Sequence, residues 1–185
     1  MELDRDLIYF NVLRNALYHT ARRRWHESVS RFFNFIMIVL GATAISGFLL
    51  PFGFTSAMGG ALIAAIGAYQ LAYDPAGRGR EHQILQRDYY RLLADIEAVP
   101  EVADDQMARW RGEMIRITGD ESPTLRVIDA KAYNDAIDAT GVYGQDQRLK
   151  IGFFAGLFGG FFTFDGLNFK KVGANQQDLL TKADS

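Results

Sequence analysis

Residues 32–73 read FFNFIMIVLGATAISGFLLPFGFTSAMGGALIAAIGAYQLAY, a run of 42 positions without Asp, Glu, Lys, Arg or His. All 20 basic and 22 acidic side chains of the 185-residue chain lie outside it, although the net charge is only −2 and the mean hydropathy −0.05. An ionised side chain at mid-bilayer costs about 2.5–3.5 kcal/mol even on lenient scales, so a membrane imposes this kind of segregation. The run therefore predicts an all-α membrane protein built on a two-helix transmembrane hairpin with a cytoplasmic helical bundle. Its spans would be 32–50 and 57–73, joined at Pro51-Phe52-Gly53. Nineteen helical residues rise ~28 Å, close to the ~30 Å of a hydrocarbon core.

Working outward, Arg14, Arg22, Arg23, Arg24 and Arg31 precede the run and Arg78, Arg80, Arg87 and Arg91 follow it, while the loop 51–56 has no basic residue. By the positive-inside rule both flanks are cytoplasmic, in a multi-pass protein of the cell membrane. The expected partners are the lipid bilayer and further copies of the chain. Gly60, Ala64 and Ala68 recur every fourth position and form a ridge suited to close helix packing. Thr43 and Ser46 stand mid-span as candidates to line a pore. Asn34 and Gln70 are the strongest polar groups within the spans, and an antiparallel hairpin would let them hydrogen-bond.

Residues 1–31 predict one amphipathic helix with Leu3, Leu7, Phe10, Leu13 and Leu17 on its apolar face. The region 74–150 predicts further helices and no strand. Its strongest pattern is His82, Leu85, Tyr89, Leu92, Ile96 and Val99, a 3-4-3-4-3 spacing that reads as a short coiled-coil seam ended by Pro100. A helix over 101–117 and another opened by Ser122-Pro123 complete it. Residues 151–185 form a Gly/Phe-rich segment and a polar tail. In IGFFAGLFGGFFTF, 151–164, Gly152, Gly156 and Gly160 line one side while phenylalanines, Phe158 and Phe161 among them, cover most of the rest. Three readings stay open for it: an interfacial or re-entrant membrane-active helix, a helix packed in an oligomer, and a thin third span.

Chemistry finds little support. Without cysteine there is neither a disulfide nor a thiolate metal site. His19 and His26 are seven apart beside Glu27, which lacks the spacing and third ligand that zinc wants. Gly77-Arg78-Gly79-Arg80 reads as a basic linker, since neither a preceding strand nor a Gly-Lys-Ser/Thr makes it a phosphate loop. Asp104-Asp105 and Asp120-Glu121 stand where helices start and favour the dipole. No enzyme, cofactor, metal or nucleic-acid partner is expected.

The order of parts is more specific than any one of them. ARRRWHES is followed by the apolar run, then REHQILQRDYYRLLADIE, then RITGDESPTLRVIDAKAYNDAI, with an acidic-Ser-Pro turn at Asp120–Pro123 and Ala132, Tyr133 and Asn134 on the next helix. Over roughly residues 10–140 this order resembles the SLATT family, two-transmembrane proteins of bacterial conflict systems. The resemblance implies a homo-oligomeric pore or membrane-perturbing effector in anti-phage defence, with a separate nucleotide-sensing partner. A non-conducting membrane scaffold, recruiting a soluble partner through the seam helix, is the alternative.

Overall fold

The computed structural model describes residues 2–42 and 50–174. The described residues are helical: α1 (Glu2–Gly41), α2 (Ser56–Tyr73), α3 (Pro75–Glu97), α4 (Asp104–Gly119), α5 (Arg126–Thr140) and the short α6 (Phe153–Phe158). Short 3-10 turns stand at Leu50–Phe52 and Gln145–Gln147. Extended pairing among the described residues is confined to one antiparallel bridge between Leu149 and Lys171. The chain divides into two units, one made of the chain up to Arg22 together with everything from His82 onward, the other of Arg23–Glu81.

In the first unit the seam of α3 is the spine. Leu85, Tyr89, Leu92 and Ile96 are buried with Leu93, against Ile8, Val12 and Ala16 of α1 and Met107, Trp110 and Ile117 of α4. A second cluster joins Phe10 and Leu17 of α1 to Tyr133, Ala136 and Ile137 of α5 and to Val142 and Tyr143. α1 is thus packed along two stripes, where the sequence suggests only one. Leu7, Leu13 and Leu17 are half-buried, while Ile8, Val12 and Ala16 at four-residue spacing bury completely. Arg14 closes the α1–α5 side, donating from Nε to Asp129 Oδ1 at 2.8 Å and lying over the Tyr133 ring. α5 starts at Arg126, later than Ser122-Pro123 suggests. The Leu125 N–H donates to the Tyr18 hydroxyl at 3.0 Å, so one of the orphan donors of this end finds its partner in α1 instead of in a side-chain cap. The helix ends on Gly141 at φ 66°, a left-handed conformation natural to glycine.

The second unit contains the apolar run and corrects the membrane reading. Among the described residues no helix is long and apolar enough to cross a membrane. α1 runs unbroken from its amphipathic part into the run but ends at Gly41, and residues 43–49, which carry the rest of the first expected span, lie outside the described residues. α2 has 18 residues. Three of them are glycines, Ser56, Tyr69, Gln70 and Tyr73 are polar or amphipathic, and only Leu62, Ile63, Ile66 and Leu71 are large aliphatics. A gap in charge is not the same as apolarity, because alanine and glycine remove little surface from water. The transmembrane hairpin, the multi-pass inner-membrane localisation and the cytoplasmic placing of its flanks are therefore withdrawn. The all-helical part of the expected fold stands. α2 and α3 meet at Asp74, whose backbone is left-handed (φ 43°) and whose carboxylate accepts from the Gly77 N–H at 2.9 Å. Gly77–Arg80, which reads as a linker, accordingly lies within the first two turns of α3.

Candidate functional site

The segment 151–164 belongs to a loop that is clamped by its backbone and free on its aromatic side. At the base, Lys150 N–H donates to Lys170 O (2.9 Å), Val172 N–H to Arg148 O (2.8 Å) and Gly173 N–H to Asp146 O (2.8 Å). Asn134 of α5 is buried and bonds both ways with Leu149: its Nδ2 donates to the carbonyl at 2.9 Å and its Oδ1 accepts from the N–H at 2.7 Å. Arg148 pairs with Asp138, holding that carboxyl below the usual carboxylate range.

Farther out, two cations grip the loop's own carbonyls. Lys131 Nζ donates to Gly156 O at 2.9 Å and Arg22 Nη1 to Gly160 O at 3.2 Å. Between them Gly159 is buried, and a methyl group added there would overlap Val127 and the Ala155 carbonyl. The side chains point the other way. Phe153, Phe154, Leu157, Phe158, Phe161 and Phe162 are all exposed, from 43% at Phe158 to 79% at Phe153. From Ile151 to Phe164 there is no charged residue.

Gly152, Gly156 and Gly160 therefore share a segment whose backbone is held to the bundle, and Phe158 and Phe161 stand on its outer face. In the second unit, Gln70 Nε2 donates to Asn34 Oδ1 at 3.2 Å, bringing these two together. Gly60, Ala64 and Ala68 lie exposed on α2 with open space at the Gly60 Cα, whereas neighbouring Gly59 packs against Phe54 and the Leu40 carbonyl. Thr43 and Ser46 lie outside the described residues.

A second constellation is a buried polar node. His19 and His82 face each other with their Nδ1 atoms 2.9 Å apart, both rings buried. Glu121 Oε1 lies 3.1 Å from His19 Nε2, off the direction of a good hydrogen bond, and accepts from the Tyr89 hydroxyl. Tyr89 also meets Thr118 Oγ1 at 2.9 Å and stacks on the His19 ring with centroids 5.6 Å apart. Burial, reinforced by the bond to Glu121, raises the Tyr89 phenol well above its ordinary range; burial also raises Tyr18. Among the described residues no group of three or more His, Cys, Asp or Glu side chains is arranged to hold a metal ion.

Neither constellation is evident in the sequence. The sequence reading pairs His19 with His26 and leaves His82 as a packed seam residue. The usable signal is that His19 continues the buried stripe Ile8, Val12, Ala16 at helical spacing. For the loop, Gly159 beside Gly160 hints at a close approach of backbone, but nothing local marks Arg22, Lys131 or Asn134 as its clamps. No family model, curated protein or solved structure matches this chain.

Proposed function

We propose that the chain is a non-enzymatic helical interaction protein that works as a homo-oligomer, its clamped phenylalanine loop being the surface through which copies join. The carrying observation is the orientation of 151–164: backbone carbonyls bound to Arg22 and Lys131, phenylalanines outward. A contiguous apolar face of this kind marks an interaction site. Each phenylalanine taken from water stabilises an interface by about 1.5–3 kcal/mol at most. A second copy offers an identical uncharged aromatic face, which suits a two-fold contact of offset or edge-on rings.

The seam of α3 is filled by the chain's own α1 and α4, so a recruiting surface is better sought on the loop than on the seam. The pore is not carried forward, because it needs spans that the described helices do not supply. The order of motifs that resembles the SLATT family supports a role for the assembled form as an effector of a bacterial conflict system, triggered by a separate nucleotide-sensing partner. The test is sedimentation of the purified chain beside a Phe153→Ser/Phe154→Ser/Phe158→Ser variant. Association in the parent and a folded monomer in the variant support the reading; equal mass in both overturns it.

A further inference from the structure

The His19–His82 contact has a property that ordinary packing does not require. Two Nδ1 atoms 2.9 Å apart can share only one proton, since two N–H groups pointing at each other would repel. The assignment that places a proton beside the Glu121 carboxylate has His82 donating from Nδ1 to His19 Nδ1, with the His19 proton on Nε2, 3.1 Å from Glu121 Oε1. A proton added to His19 Nδ1 removes the acceptor and breaks the contact.

We propose that this pair is a proton-operated latch between α1 and α3, closed near neutral pH and opened by acid. The groups facing it from the packed elements are Tyr18 of α1, Tyr89 of α3 and Glu121 of the α4–α5 turn, while Arg22 of α1 and Asp129 of α5 act on Tyr18. Glu121 can balance one positive ring. A single carboxylate does not balance two, and both rings are buried where an uncompensated charge is costly. The closed pair therefore binds fewer protons than the open one, and the closed form loses stability as pH falls.

Denaturant unfolding of the full chain at about pH 7.5, 6.5 and 5.5 tests this, beside His82→Gln, which keeps a hydrogen-bonding group but does not titrate, and His82→Phe. One extra proton in the open form makes the unfolding equilibrium constant of the parent rise up to about tenfold more per pH unit than that of the variants. His26 is common to all three proteins and cancels. Should neither variant fold, long-range proton–nitrogen spectra of the parent's imidazoles decide: one ring protonated on Nδ1 at neutral pH, its pattern lost in acid, is the expected result. Equal pH slopes in parent and folded variants, or two rings both protonated only on Nε2 at neutral pH, would overturn the latch.

Discussion

The seam of α3 and the loop 151–164 are made from the same class of residue and meet opposite fates. Along the seam, Tyr89 and Ile96 are wholly buried and the apolar side chains do the packing, while the backbone satisfies itself within the helix. Along the loop the backbone does the packing. Its carbonyls take bonds from Arg22 and Lys131, its glycine meets Val127, and its phenylalanines are left in water. Apolar surface at a helical period serves the fold; apolar surface held outward by polar clamps is available to something else.

The contrast should appear first in stability. Ile96→Ala opens a cavity in the seam and is expected to cost about 2–5 kcal/mol in denaturant unfolding. Gly159→Val should cost about 1–3 kcal/mol, because the loop must lift off Val127 to make room. Proteolysis within 151–169 that quickens in this variant while the helical signal is kept would place the damage at the clamp. Asn134→Ala strands the N–H and carbonyl of Leu149, about 1–3 kcal/mol if they stay buried.

Alkaline titration probes the seam differently. Tyr89 and Tyr18 have phenols raised above the unfolded value of about 10, so their contribution is intact below that pH and is lost as pH climbs from there through their raised folded values. Tyr89→Phe should flatten this alkaline fall; an unchanged profile would mean that neither burial nor the Glu121 bond holds the Tyr89 phenol neutral. At the small end, Phe154→Ser should leave the fold within about 0.5 kcal/mol of the parent, since its ring is already in water. A cost as large as that of Ile96→Ala would erase the distinction between the two regions.

These regions also differ in how far the sequence discloses them. The seam is legible because a period of 3.5 is a local property, and His82 to Ile96 lie at the positions their spacing assigns. α1 is half legible, since a helix packed on two sides shows two overlapping stripes and the leucines draw the eye to the less buried one. The loop's composition stands out, but its orientation depends on Arg22 and Lys131, far away in sequence and ordinary in appearance. The apolar run 32–73 misleads because absence of charge weighs more than scarcity of large aliphatics in α2. The Asn34–Gln70 bond needs only an antiparallel pair, whatever surrounds it.

The most direct test of the account is the mass of the purified chain by sedimentation equilibrium in detergent-free buffer. A dimer or larger assembly that reverts to a folded monomer when Phe153, Phe154 and Phe158 become serine is the predicted result. A monodisperse parent monomer, or a chain that stays dispersed only in detergent or lipid, would contradict it.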